Sequence, residues 1–227
     1  MALTAAVVAW VLLSWLGAPL PAAGAVAEDP LRAEGAPELT IGPDPAMRDN
    51  RKAAFFAGDS LTYDTWHWGG LAFEAQAQGW LVSGARARGG LRAGELAALW
   101  PGLAQDLPGV VLIAIGANDV VFGTPPAQFR KAITTIIRLS PRRKIVLVSV
   151  FVRSDPLVAR REAALNGVLK GIARTSSRVT FADWGREVEQ HPAWPLVDDP
   201  FRIHLSPEGL KGRALFYIAS IFRVPGL

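Results

Sequence analysis

The sequence contains no cysteine. A disulfide framework, a thiolate metal site and a cysteine nucleophile are therefore excluded, and covalent chemistry falls to serine, histidine and the carboxylates. Histidine is scarce too, with three in 227 residues, so the candidates for general-base work form a short list. Charged residues make up only 19% of the chain, with a formal net charge of +4 and an isoelectric point near 9.8. Its cations, such as Arg86, Arg88, Arg142 and Lys144, are scattered rather than gathered into a stripe interleaved with aromatics. That pattern argues against a nucleic-acid partner and suits weak attraction to anionic envelope polymers. Internal repeats and low-complexity tracts are absent as well. With half its residues hydrophobic, the chain is long enough for one α/β domain with a substantial core and too short for a second large one.

Charge is also missing from Met1 to Ala27. There an apolar run, Ala5 to Leu16, is followed by helix-breaking Pro19 and Pro21 and then by Ala25-Val26-Ala27 ahead of Glu28. This is the order of a signal peptide, although its first residues lack the usual Lys or Arg. An uncleaved membrane anchor is the alternative, and an apolar stretch ending near Leu20 is short for a bilayer core of about 30 Å. The expected organisation is a signal peptide or anchor over 1–27, a linker rich in Pro, Gly and acidic residues over 28–50, and one folded domain over 51–227.

Within that domain short apolar runs alternate with helical patterns. Strands are expected at Ala53–Ala57, Trp80–Ser83, Val110–Ile115, Ile145–Val150 and Val179–Ala182. Thr124 before Pro125 and Pro126, Asp155 before Pro156, and Ser206 before Pro207 and Glu208 each place a capping oxygen next to a residue suited to a first helical turn. Strands that are apolar on both faces and separated by helices predict an α/β fold, a three-layer α/β/α sandwich around a central parallel sheet. In such sheets ligands bind at the carboxyl ends of the strands. Residues that follow directly on strands are therefore the ones to examine.

The first strand runs into Gly58-Asp59-Ser60-Leu61, which puts the Ser60 hydroxyl and its backbone N–H on that edge. An ordinary turn capped by Asp and Ser is the plainer explanation of this segment taken alone. After the second strand, Gly84 to Leu91 brings Gly89 and Gly90 to the same edge, where a Gly90 N–H can approach substrate closely or merely serve a helix-entry loop. The third strand ends in Gly116-Ala117-Asn118-Asp119, whose Asn118 amide is a second potential donor. Late in the chain His204 follows Asp198 and Asp199 and precedes Ser206-Pro207-Glu208-Gly209. The other two histidines suggest less: His67 sits among aromatics in Trp66-His67-Trp68, and His191 in a polar stretch.

Taken in order, G-D-S-L, the glycine loop, G-x-N-D and the late histidine ahead of S-P-E-G resemble the blocks of the SGNH hydrolase family, also called GDSL esterases/lipases, over Lys52 to Phe222. The resemblance implies that Ser60 is the nucleophile, His204 the general base, and the Ser60 N–H, the Gly90 N–H and the Asn118 amide an oxyanion hole. It implies no metal and no cofactor. One position departs from the pattern: the family has Asp three residues before the histidine, where this chain has Phe201. Asp199 is the preferred partner of His204 and Asp198 the alternative, with Pro200 to Ile203 holding a short insertion. The H-L-S-P-E-G ending is also similar to that of envelope carbohydrate O-acetyl esterases and O-acetyltransferases, with Trp66, Trp68 and Trp194 as candidate sugar platforms.

The reading that follows is an exported serine esterase acting on a small-molecule or glycan acyl ester. An O-acyltransferase using the same residues and a non-catalytic carbohydrate-binding protein on the same fold are its rivals. Export yields the first test. Protein purified from its native envelope is expected to begin at Glu28, whereas an N-terminus at Met1 in the membrane fraction would identify an anchor.

Overall fold

The computed structural model describes residues 36–196, 199 and 201–226. The segment expected to direct export, residues 1–27, lies outside them, as does Asp198. Six strands, β1 (Glu38–Ile41), β2 (Ala53–Gly58), β3 (Leu81–Arg88), β4 (Val110–Ala114), β5 (Lys144–Val148) and β6 (Val179–Ala182), form one sheet in the order β1-β3-β2-β4-β5-β6. Five of them run parallel, and β1 joins β3 antiparallel at the edge. Among the described residues eight helices cover the sheet: α1 (Ser60–His67), α2 (Leu71–Ala77), α3 (Ala93–Leu99), α4 (Ala117–Phe122), α5 (Pro126–Arg138), α6 (Pro156–Arg174), α7 (Trp184–Gln190) and α8 (Pro207–Phe222).

The continuous apolar strands are explained by the two cores they separate. Successive strand residues point to opposite faces. Thus Phe55, Val111, Ile113, Ile145 and Leu147 enter one core with α3, α5 and α6. Phe56, Val110, Leu112, Val146 and Val148 enter the other, with α2, α7 and α8. Every residue of β2 and β4 is buried. These are the two faces of the predicted three-layer α/β/α sandwich.

Three local differences from the sequence reading have physical causes. First, Glu38–Ile41, expected within a linker, adds the edge strand β1. Second, β3 continues through Gly84 to Arg88, where a loop was expected. Here Ala85 and Ala87 are buried while Arg86 and Arg88 reach outward to Glu38 and Glu95. This alternation marks a strand with one covered face. Gly84, at φ 154°, stands beside a register shift between β2 and β3. Third, α5 starts at Pro126 with Pro125 at the cap position, ψ 137°, because a residue that precedes proline is held out of the helical region. The other two helix starts behave as expected. Asp155 accepts the N–H groups of Leu157 and Val158 at 2.7 and 3.0 Å, and Ser206 accepts that of Gly209 at 3.2 Å.

Topology decides where a ligand can go. From β2 the chain crosses to β3 on one side and then back past β2 to β4 on the other. The winding direction therefore reverses at β2, and the carboxyl ends of β2, β3 and β4 are where a sheet of this topology receives a ligand. Gly58 closes β2 at that point, and a Cβ there would strike Thr62 Oγ1 and the carbonyl oxygen of Ala114. Both neighbours are buried in the central packing. Gly58→Ala is expected to cost more than about 2 kcal/mol in a denaturant titration, since overpacking against backbone cannot be relieved by a rotamer change.

Candidate active site

Ser60 is the first residue of α1, directly after the strand at which the winding reverses. Asp59 caps the helix: its side chain accepts the N–H of Leu61 at 3.1 Å, and its carbonyl accepts those of Thr62 and Tyr63, both at 3.1 Å. The Ser60 N–H is left among the orphan donors of the first turn. Ser60 itself is half-buried.

The other two loops converge on this edge. Gly90 follows β3 at φ 72°, a left-handed conformation that suits glycine. Asn118 is in the first turn of α4 and donates Nδ2 to the carbonyl of Leu91 at 3.1 Å. Next to it, Asp119 Oδ2 accepts the N–H of Ala93 at 2.9 Å. These two bonds tie the loop that carries Gly90 to the helix that carries Asn118. One amide hydrogen of Asn118 is committed to that tie, and the other is available to a ligand. Asp119 is a positioning residue that the sequence analysis does not single out. Its signal was the G-x-N-D block itself, but the backbone group it would hold is 26 residues away.

His204 lies in a loop wound around one carboxylate. Asp199 Oδ1 accepts the N–H of Phe201 at 3.1 Å, and Oδ2 accepts those of Ile203 and His204 at 2.8 and 2.7 Å. The same Oδ2 is 3.0 Å from His204 Nδ1. Arg202 closes the turn in the left-handed region at φ 49°. The N–H groups of Phe201, Ile203 and His204 thus gather on the carboxylate that also meets the imidazole. The ring's Nε2 has no hydrogen-bond partner among the described residues. Its charge is felt by Asp59 and Asp64, on either side of Ser60 in sequence.

Environment separates the titrations. Burial opposes the His204 cation, but the Asp199 hydrogen bond and charge, with Asp64 and Asp59 behind them, hold its pKa above the ordinary histidine value. Burial likewise opposes the Asp199 anion, yet the His204 ring and the backbone N–H groups keep its pKa below the usual carboxylate range. Asp59 goes the other way: burial pushes it up to about 6, against the lowering charge of Arg213. Because the folded state holds that proton more tightly than the unfolded chain does, stability falls as pH rises from about 4 to about 6. At neutral pH the ionised Asp59 costs on the order of a few kcal/mol.

The tryptophans sort differently from one another. The Trp194 ring stacks on Trp184 (centroids 5.8 Å apart) and on His191 (4.0 Å). Trp66 is half-buried against the second core. Trp68, 70% exposed, is next to exposed His67, whose ring packs on Tyr63 at 4.4 Å.

A model of the GDSL-like lipase/acylhydrolase family matches residues 56–211. No match of significance is found among curated proteins. The fold is similar to that of a Clostridium thermocellum family 3 carbohydrate esterase (TM-score 0.61, 15% identity, covering 75% of this chain and 94% of that one). It is similar also to the C-terminal catalytic domain of Streptococcus pneumoniae peptidoglycan O-acetyltransferase A, solved with a methylsulfonyl adduct (0.57, 19%, 78% and 93%). A third similar structure is a member of the lipolytic G-D-S-L family from Veillonella parvula (0.62, 17%, 75% and 98%).

The Asp199–His204 contact predicts a pH signature. A base with a raised pKa loses activity as pH falls through that value, because the protonated ring cannot accept a proton. Asp199→Asn removes the interaction that raises it. The acid limb of kcat/KM is expected to move to lower pH while kcat falls by about 10³–10⁴-fold, the effect of losing a triad carboxylate elsewhere. An unmoved limb would show that Asp199 does not act on the imidazole.

Proposed function

Because the chain belongs to the GDSL-like lipase/acylhydrolase family and is an esterase of the SGNH type, we propose that it hydrolyses short-chain acyl esters, O-acetyl esters above all, through an acyl-enzyme on Ser60. The observation that carries this reading is the Asp199–His204 pair at 3.0 Å, held within electrostatic reach of the helix that Ser60 begins. A serine hydroxyl is a weak nucleophile until a neighbouring base takes its proton. With Nδ1 held by Asp199, the ring presents Nε2 as that base.

In the first half-reaction Ser60 Oγ attacks the acyl carbon while its proton passes to His204 Nε2. The carbonyl oxygen becomes an oxyanion, stabilised by the N–H groups of Ser60 and Gly90 and by the Asn118 amide. When the intermediate collapses the C–O bond to the alcohol breaks, and the alcohol leaves with the proton from His204. In the second half-reaction water gives its proton to the same nitrogen and attacks the acyl-enzyme. The carboxylic acid departs, and the proton returns to Ser60.

The substrate proposed is an acylated glycan or small molecule met outside the cytoplasm. Its supports are the export pattern of residues 1–27, the basic bias, and the fold shared with a carbohydrate esterase and a peptidoglycan O-acetyltransferase. Of the three tryptophans considered as sugar platforms, Trp68 has the exposure the role requires, whereas Trp194 has protein rings against it. Transfer to a sugar hydroxyl would use the same residues with a different acceptor.

Wild type is expected to hydrolyse p-nitrophenyl acetate and to be labelled at Ser60 by a phosphonate. Ser60→Ala should lose both while melting as a folded protein. Activity retained in the mutant would remove Ser60 from the mechanism. Products formed with an acetyl donor in the presence and absence of a glycan oligomer would separate hydrolysis from transfer.

A further inference from the structure

The helix farthest along the chain sends a buried cation towards the nucleophile turn, and the mechanism above does not use it. Arg213, on α8, is 3% exposed. Its Nε donates to Tyr217 Oη at 2.9 Å, and that oxygen lies 3.2 Å from Thr62 Oγ1, two residues after Ser60. The guanidinium lies over the rings of Trp184 and Tyr217, 4.7 and 5.1 Å from their centroids. Its Nη1 is buried with no hydrogen-bond partner. No carboxylate is within ion-pair distance of it among the described residues. Arg213 and Asp59 instead line a cavity of about 10 Å³ shared with Ala114, Ser149 and Phe151, room for one water at most.

An isolated buried guanidinium and an isolated buried carboxylate are each costly, and each lowers the cost of the other across such a gap. The carboxylate concerned caps the helix that begins with Ser60. We propose that Arg213 is a positioning residue for the nucleophile: from α8 its guanidinium, fixed by Tyr217 and two aromatic faces, acts as counter-ion to Asp59 and so holds the turn that presents Ser60. This rests on the hydrolase reading for its consequence in turnover, but the ionic coupling can be measured without it.

The charge relations around Asp59 are the basis of the test. Arg213 favours its ionised form, as does His204 more weakly, and Asp119 opposes it. Tyr217 faces the same guanidinium and holds its proton more tightly for being buried. Arg213 acts on Asp64 as well, so a change of pH alone would not isolate Asp59. A mutant cycle does.

The experiment compares wild type, Arg213→Met, Asp59→Asn and the double mutant by thermal melting at pH 5 and pH 8. Asp59, with a pKa pushed up to about 6, is mostly neutral at the first pH and ionised at the second. Arg213→Met is expected to lower Tm by several degrees more at pH 8 than at pH 5, and Asp59→Asn should abolish that excess. An equal loss at both pH values, unchanged by Asp59→Asn, would reduce Arg213 to packing and overturn the proposal.

For turnover, Arg213→Met should lower kcat on p-nitrophenyl acetate by about 10-fold or more with KM within about threefold, and Arg213→Lys, which keeps the charge, should recover part of it. Coupling in the melts without any change in kcat would overturn the positioning role. If wild type neither hydrolyses esters nor reacts with a phosphonate at Ser60, the hydrolase reading fails and the role in turnover falls with it. The melting cycle would still decide whether Arg213 is the counter-ion of Asp59.

Discussion

The site depends on the reversal of winding at β2. A parallel sheet wound in one direction covers each carboxyl edge with the next crossover helix. Where the direction changes, the helices on either side diverge and the strand ends are left open. In this chain β2, β3 and β4 are neighbours and run parallel, so Ser60, Gly90 and Asn118, each following one of them, come to the same edge of the sheet although 58 positions separate the first from the last. The requirement propagates into the packing. Gly58 must lack a side chain so that β2 can pass close to the end of β4 and turn straight into α1.

Around this opening one residue type is used in opposite electrostatic settings. Asp199 is surrounded by donors, three backbone N–H groups and an imidazole, and its anion is favoured despite burial. Asp59 has one backbone donor at its side chain and a cation at a distance, and its anion is penalised. The first arrangement fixes Nδ1 of His204 and raises the pKa of its ring. The second leaves charge stored at the turn that leads into Ser60, a cost that a structural turn alone would not require and that Asn at this position would avoid. Local destabilisation of this kind is expected where a site must hold a reactive geometry.

Exposure separates Trp68 from Trp194. Stacking between Trp184 and His191 commits Trp194 to the protein, and its indole also packs on α8, where Gly209 and Gly212 lie against it. Among the described residues Trp68, just after α1, has only the tilted His67 ring near it, at 6.4 Å, and is mostly exposed. It lies one helix length, about 12 Å, from Ser60 along the axis.

Much of this was legible in order along the chain. Runs such as Val110 to Ala114 are apolar at every position because both faces of a parallel sheet are buried, and that is a property of sequence periodicity. Asp155 and Ser206 mark helix starts because capping is local chemistry, completed within three residues. Ser60, Gly90 and Asn118 could be picked out because each follows a strand and the edge rule applies to all of them. Interactions between residues far apart in sequence, and turns whose geometry has no periodic signal, were decided only in three dimensions. The partner of His204 is of the second kind: no spacing shows that Asp199, five positions earlier, meets the ring. The pairing of Glu38–Ile41 with β3 and the anchoring of the Gly90 loop by Asp119 are of the first kind. So is the placement of Arg213 behind Asp59, 154 positions earlier in the chain. A buried charge is read in sequence as an ordinary surface arginine, because its desolvation exists only after α8 has packed against the sheet.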